Sequence, residues 1–214
     1  DQDEYGQARA LGLDWQTKED SLQCKVTEKL VKPTKKITKR IVASKVAGIY
    51  DVFGFTAPFV LRGKVLLQEL WKKKLGWNEE IGKEEATLFR RWEEELPQIR
   101  EIVIPRMLVP SELKMGSISL HGFADASKDA YGCMVYLRAE REDGLIWTQF
   151  IMAKTRVAPI KMTVIARLEL MGAQCLAKLL VYIMEALEPL DMKIDAVHGW
   201  LDSEIALDWI AQPS

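Results

Sequence analysis

The chain has 214 residues, of which 48% are hydrophobic and 29% are charged, and its net charge at pH 7 is −1. This composition excludes a disordered chain, and the length suits one large domain or two small ones. Three widely spaced cysteines form neither a zinc motif nor a disulfide framework, which favours a reducing compartment. The sequence has no signal-peptide hydrophobic region and no apolar run of the roughly 18 residues that a membrane span needs. We therefore expect an intracellular protein that is not associated with a membrane.

The first predicted elements are two short strands, over residues 8–15 and 21–26, joined by a polar turn. A basic loop follows over residues 29–36. Between Lys25 and Lys45 the sequence has eight lysines or arginines and one acid. Such an excess of positive charge favours a surface that faces nucleic-acid phosphates. A solvated loop and helix face explains the same charges equally well, so both interpretations stay open at this point.

Three helices are predicted next. Thr38 is expected to cap the first, which continues to about Ile49. Apolar residues at helical spacing predict a second helix over residues 58–75 and a third, highly charged one over residues 84–95. The apolar stripe of the third helix is predicted to consist of Leu88, Phe89 and Trp92.

A proline-rich stretch separates this helical region from the rest of the chain. Pro97, Pro105 and Pro110 predict an extended connector, because proline ends helices and cannot donate a backbone hydrogen bond. We place a domain boundary near residue 112.

The pattern beyond the boundary predicts an α/β layer architecture. Three strands at hairpin spacing form a meander, and a long amphipathic helix then leads to a fourth strand. Because a helical crossover connects parallel strands, the fourth strand is expected to run parallel to the first. The predicted elements are strands over residues 118–124, 131–138, 145–153 and 193–201, and helices over residues 165–187 and 203–211.

Three acids occupy informative places in this pattern. Asp125 and Asp202 each end a strand-like run, while Glu169 lies near the start of the long helix. Taken singly, each has an ordinary explanation as a turn residue, a solvated helix residue or a helix cap. Taken together, the two aspartates would lie on adjacent central strands with the glutamate projecting towards both. Clustered carboxylates repel one another unless cations are present, so this grouping predicts a site for a hard divalent metal such as Mg²⁺.

Several long motifs resemble the RNase H-like region of the Bel/Pao group of LTR retrotransposon polyproteins. The motifs in the second half are HGFADASKDAYGCMVYLR, AKTRVAPIKMTVIARLELMGAQCLAKLL and WLDSEIALDWI. Upstream, ARALGLDW looks like the end of that group's reverse-transcriptase palm, and TKRIVASKVAGIYDVFGFTAPFVLRGKVLLQELW looks like its thumb and connection helices. The resemblance implies a palm and primer-grip end over residues 1–37 and a mainly α-helical thumb or connection segment over 38–112. It implies a C-terminally partial α/β RNase H-like domain, a mixed sheet with a crossover helix, over 113–214.

The resemblance also implies an activity. Asp125, Glu169 and Asp202 match three carboxylates that bind Mg²⁺ or Mn²⁺ and cleave the RNA strand of an RNA–DNA hybrid. Ala166 and Leu201 depart from the family pattern, where a proline and a threonine are usual, and neither change removes a ligand. A fourth acid is expected beyond Ser214, so the chain is expected to be a piece of a polyprotein. We expect weak or no turnover until the rest of the polyprotein, or a partner chain, completes the domain.

Seven residues are predicted to contact nucleic acid. Four lie in the basic stretch, two lie in the loop before the long helix, and one is a serine that either binds a phosphate or caps the last helix. They are Lys35, Lys36, Lys39, Arg40, Lys154, Arg156 and Ser203.

Three other functions are compatible with parts of this sequence. An integrase or transposase orders its acids Asp, Asp, Glu, whereas the helix Glu comes second here. An aspartic protease needs Gly after Asp-Thr or Asp-Ser, but Glu204 follows Asp202-Ser203. A retroelement-derived binding or scaffold module without catalysis stays open as the alternative. His121 and His198 are expected to be packed residues, so no zinc site is predicted. The tryptophans Trp71, Trp77 and Trp92 are expected to be helix core and not platforms for nucleic-acid bases.

Overall fold

The computed structural model describes residues 7–10, 12–110, 115–161 and 163–212. The chain divides into two compact units, and the boundary between them lies between Met107 and Leu108. The predicted boundary near residue 112 was drawn from prolines alone, and the assignment of segments to palm, thumb and RNase H roles stays a prediction.

The first unit contains a four-stranded antiparallel sheet in the order β1-β2-β3-β4. The single strand predicted over residues 8–15 is wrong, because two antiparallel strands occupy this stretch. Gly12 separates them with φ +77°, a conformation that glycine adopts readily and that lets the chain reverse. The strands are β1 (Gln7–Ala10), β2 (Leu13–Gln16), β3 (Ser21–Cys24) and β4 (Val103–Pro105).

Four helices complete this unit. The Thr38 side chain accepts a hydrogen bond from the backbone N–H of Ile41 at 3.4 Å, so the predicted N-cap is confirmed. Leu88 is 56% exposed, so its place in the apolar stripe of the fourth helix is wrong, whereas Phe89 and Trp92 are buried as predicted. The helices are α1 (Glu28–Val31), α2 (Lys39–Ala47), α3 (Ala57–Lys72) and α4 (Lys83–Glu95).

The stretch predicted as an extended connector is more ordered than its prolines indicate. A 3₁₀ helix covers Leu96–Glu101, and its Leu96 and Ile99 side chains are buried in the core of the first unit. The chain then enters β4, which pairs antiparallel with β3. Burial of these apolar side chains fixes the backbone beside Pro97, which lies in the first turn where no N–H donor is needed.

The second unit is a mixed sheet in the order β7-β6-β5-β8, with one long helix packed against it and the last helix packed against the long one. The three meander strands are antiparallel, and β8 runs parallel to β5, as predicted. β8 lies at the edge of the described sheet, so its predicted central position is not what the structure shows. The elements are β5 (Met115–Ala126), β6 (Ala130–Arg141), β7 (Ile146–Val157), α5 (Ile165–Leu187), β8 (Ala196–Trp200) and α6 (Glu204–Ala211).

Candidate metal centre

The parallel pairing of β5 with β8 places two of the predicted acids at one end of the sheet. The register joins Ser119 to Ala196 and continues to Phe123 with Trp200. Asp125 follows two residues later in β5, and Asp202 follows two residues after the end of β8. Because the strands are parallel, both carboxylates lie at the same end of the sheet.

The crossover helix brings the third acid to this end of the sheet. α5 lies on the sheet through buried leucines such as Leu168 and Leu176, and the predicted bounds of the helix, 165–187, are confirmed. Gly122 of β5 allows the close approach, because a Cβ there would lie only 2.4 Å from Leu176 Cδ1. Glu169 therefore lies in the second turn of a helix that is held tightly against the strand of Asp125.

Asp125, Glu169 and Asp202 form a compact cluster, each offering a carboxylate oxygen within 4.8 Å of the others. Glu169 is buried, with 6% of its surface exposed, while both aspartates are exposed. Glu169 therefore lies on the buried side of the cluster, and the two aspartates lie on the side that solvent or a substrate can reach.

Electrostatics around Glu169 are unfavourable for its charge. Burial raises the pKa of Glu169, and the negative charges of Asp125 and Asp202 raise it further, while the backbone N–H of Ala126 acts in the opposite direction. Its buried Oε2 atom has no hydrogen-bond partner among the residues that the structure describes. The N–H of Ala126 donates to Asp125 Oδ1 at 2.7 Å.

A divalent cation fits this donor set. Carboxylate oxygens are the ligands that Mg²⁺ and Mn²⁺ prefer, and one carboxylate oxygen of Glu169 lies within 4.8 Å of one from each aspartate. A bound cation would compensate the three negative charges and satisfy the buried oxygen, which no described protein group does.

The basic residues predicted from the first unit differ in their environments. Lys35, Lys36 and Arg40 are exposed. Lys39 is only 3% exposed, because its ammonium donates to the carbonyl of Leu75 and lies 4.0 Å from the centre of the Trp71 ring. Lys39 therefore has a structural contact of its own and is left out of the proposed nucleic-acid surface.

Three predicted contact residues belong to the second unit. Lys154 and Arg156 are exposed on β7 and line an open pocket of about 310 Å³ beside α5. They lie within β7 and not in a loop, which corrects the prediction of their local structure. Ser203 caps α6, since its Oγ accepts from the N–H of Ala206 at 3.3 Å. Its hydroxyl is thus already engaged.

Two of the three tryptophans differ from their predicted surroundings. Trp71 and Trp77 are 47% and 43% exposed and pack edge to face, so they are not core, whereas Trp92 is buried as predicted.

The rings of His121 and His198 stack at 4.8 Å beside Trp200. No metal group of three ligands that includes either histidine occurs in the described ranges.

Two cysteines that no sequence motif connects are also close in space. Cys133 of β6 and Cys175 of α5 are 42 residues apart, and their sulfur atoms are separated by 3.5 Å. Only the packing of α5 on β6 brings them together, so no local motif could have signalled it.

In the part of the chain that the structure describes, one helical stretch, Ile165–Leu190, is apolar and long enough to cross a membrane. Core helices of globular domains meet the same criteria, and one side of this helix is buried against the sheet.

Comparisons with known proteins connect the chain to one family. The model of a family described as the Pao retrotransposon-like RNaseH-like domain matches residues 38–203. A solved structure of the foamy viral protease-reverse transcriptase in complex with dsDNA is similar at 17% sequence identity and a TM-score of 0.39. That similarity covers 97% of this chain and 39% of the viral chain, so this chain spans well under half of the viral one. A search of curated proteins gave no match.

Proposed function

Because the chain belongs to the Pao retrotransposon-like RNase H-like domain family, we propose that it is a metal-dependent ribonuclease H. The proposed substrate is an RNA–DNA hybrid, of which the RNA strand is hydrolysed. In this proposal residues 1–37 and 38–112 are the palm end and the thumb or connection segment of the same reverse transcriptase.

The observation that carries the proposal is the cluster of Asp125, Glu169 and Asp202. Three carboxylates within 4.8 Å of one another, one of them buried with an unsatisfied oxygen, are costly for a fold unless a cation is bound. A merely structural acid would be paired with a base, as the buried Glu93 of the first unit is with Lys45.

The three acids would hold Mg²⁺ or Mn²⁺, with the two exposed aspartates towards the substrate and Glu169 behind them. When bound, such ions activate a water and stabilise the leaving oxygen of a phosphodiester. The protein's own contribution is to fix the carboxylates at one sheet edge, on a strand and a tightly packed helix, so that little reorganisation is needed.

The exposed cations Lys35, Lys36, Arg40, Lys154 and Arg156 are proposed to contact phosphates of the hybrid. Each phosphate that a protein neutralises steepens the fall of affinity with salt. Replacing any one of them by Gln is expected to weaken binding of all hybrid sequences similarly, because phosphates carry no sequence information.

The test has two readouts, one for metal binding and one for catalysis. On the chain itself, Mn²⁺ binding is measured by electron paramagnetic resonance. On a polyprotein piece that extends beyond Ser214, cleavage of a fluorescent RNA–DNA hybrid is measured with Mg²⁺. Asp125→Asn, Glu169→Gln and Asp202→Asn should each reduce both. Losing an outer-shell partner of a metal costs about 10–100-fold, so losing a ligand should cost at least about 100-fold in cleavage.

Matched controls exist on the same elements. Asp129→Asn, Glu185→Gln and Asp208→Asn change exposed acids on the turn after β5, on α5 and on α6, and they should leave both readouts unchanged. Unaltered cleavage in all three ligand variants would refute the nuclease. Metal binding without any cleavage in the longer piece would instead favour the alternative function, a retroelement-derived binding module.

A further inference from the structure

Cys133 of β6 and Cys175 of α5 lie against each other, and α5 is also the helix that carries Glu169. The Cys133 thiol points at the Cys175 sulfur across 3.5 Å, close to the contact distance of two sulfur atoms. A disulfide bond is about 2.05 Å long, so the two sulfurs need to approach by roughly 1.5 Å to form one. Both thiols are free in this structure.

The two thiols differ in their access to solvent. Cys133 is 4% exposed, whereas Cys175 is half-buried and lines the open pocket of about 310 Å³. A small molecule in the pocket therefore reaches Cys175 first, and Cys133 lies directly behind it. The third cysteine, Cys24, is 2% exposed in the first unit.

The pocket is electropositive around the Cys175 sulfur. Its titratable and charged groups include three cations and two phenols, and no acid lines it among the described residues. These groups, with the neighbouring thiol, are Lys154 and Arg156 on β7, Lys178 and Tyr182 on α5, and Tyr131 and Cys133 on β6.

This environment favours a thiolate at Cys175. The hydrogen bond from Cys133 and, to a smaller extent, the charges of Arg156, Lys154 and Lys178 together lower the pKa of Cys175 to about 6 against the opposing effect of burial. The pKa of Cys133 is raised by its hydrogen bond with Cys175 and by burial, so Cys133 stays a thiol. Cys175 is thus a nucleophilic thiolate, and Cys133 is a second thiol close enough to react with an oxidised Cys175.

We propose that Cys133 and Cys175 are a redox-sensitive dithiol, in which a hydroperoxide oxidises Cys175 and Cys133 closes a disulfide. The geometry of the pair and its pocket carries this inference, which does not depend on the nuclease. The disulfide would tie β6 to the helix that carries Glu169, six residues before Cys175.

The chemistry balances in two steps. The Cys175 sulfur attacks one peroxide oxygen, the O–O bond breaks, and the departing hydroxide or alkoxide takes a proton from water. The Cys133 sulfur then attacks the resulting sulfenic acid, an S–S bond forms and the S–O bond breaks. The Cys133 thiol proton goes to the leaving hydroxide, which becomes water. The two sulfurs lose two electrons, and the hydroperoxide gains them.

Treatment of the folded chain with hydrogen peroxide, followed by alkylation, tryptic digestion and mass spectrometry, tests the bond directly. A linked pair of the peptides 129–138 and 168–178 is expected, two hydrogens lighter than the separate peptides and lost on reduction. Cys24→Ser should give the same linked pair. Links between chains, links to Cys24, or no link at all would each overturn the proposal.

Two further measurements separate the roles of the thiols. Cys133→Ser should leave Cys175 as a sulfenic acid that dimedone traps, and Cys133→Ala serves if the serine variant unfolds. Alkylation of Cys175 by iodoacetamide should show a midpoint near pH 6, against negligible alkylation of Cys24, for which burial first and Asp51 next raise the pKa to about 12. A Cys175 midpoint above pH 8, or equal alkylation of Cys24, would contradict the assignment.

Discussion

The two units each bury a glutamate, and the surroundings of the two side chains are opposite. Glu93 in the first unit accepts from Lys45 Nζ at 2.5 Å and from the hydroxyl and N–H of Thr34 at 2.6 and 3.2 Å. Lys45 also donates to the carbonyl of Lys32 at 2.7 Å. Glu169 in the second unit has an oxygen without a described partner and two carboxylates as neighbours.

The shifts of the two carboxyl groups follow from these contacts. Burial acts to raise the pKa of Glu93, but the hydrogen bonds from Lys45 and Thr34 outweigh it and hold that pKa below its usual range. Burial and two negative neighbours raise the pKa of Glu169. A buried acid that the protein itself compensates is part of the architecture, whereas one that it leaves uncompensated points to a missing ligand.

The largest effect on stability is expected at the compensated acid. Glu93→Gln should lower the free energy of unfolding by about 3–5 kcal/mol, because it leaves the Lys45 ammonium buried without a counter-charge. Urea unfolding measures this change. The exposed pair of Arg62 with Glu95 is the control on the same helix, and Glu95→Gln should cost no more than about 1 kcal/mol. Equal losses in the two variants would mean that burial does not distinguish the pairs.

The uncompensated acid should instead control the response to metal. At a free Mg²⁺ or Mn²⁺ concentration 100 times the dissociation constant, binding should stabilise the parent chain by about 2.7 kcal/mol. Glu169→Gln should abolish most of this gain, while Glu185→Gln on the same helix keeps it. Thermal unfolding with and without the cation measures both. A full gain in Glu169→Gln would remove this residue from the metal site.

A smaller effect is expected from pH, and its sign should differ between the two acids. Because the folded-state pKa of Glu93 is lowered, its contribution is present above about pH 4.3, the ordinary Glu value, and is lost as pH falls through the folded-state pKa. Because the folded-state pKa of Glu169 is raised, its contribution is present below about pH 4.3 and is lost as pH rises through that pKa.

In metal-free buffer at pH 7, Glu169→Gln should therefore be more stable than the parent chain, and the difference should disappear towards pH 4. Glu93→Gln should be less stable at pH 7 and should approach the parent at low pH. Thermal unfolding across this range in the presence of a chelator checks both. A loss of stability on Glu169→Gln at pH 7 would show that the carboxylate has a partner in the folded protein.

Local features of the second unit were accessible from the sequence because they act over a few residues. Periodicity and flanking residues predicted α5 with its observed bounds, and β-favouring runs at hairpin spacing predicted the three meander strands to within a few residues. The order strand acid, helix acid, strand acid then predicted which three carboxylates could meet. Their assignment as metal ligands stays a proposal.

Features that depend on long-range packing were missed. The burial of Lys39 under Trp71, the exposure of Leu88 and the contact of Cys133 with Cys175 each depend on elements remote in the chain. A basic stretch has the same composition whether its lysines face solvent or a carbonyl group, so composition alone could not separate Lys39 from its exposed neighbours.

By itself the sequence determined the kind and order of the elements of the second unit, the family resemblance and the identities of the clustered acids. Only the tertiary structure decided that Glu169 is buried without a described partner while Glu93 is paired, and that two distant cysteines touch. The physical reason is that propensity, periodicity and capping are local, whereas the free energy of a charge or a thiol depends on the whole set of groups that folding brings around it.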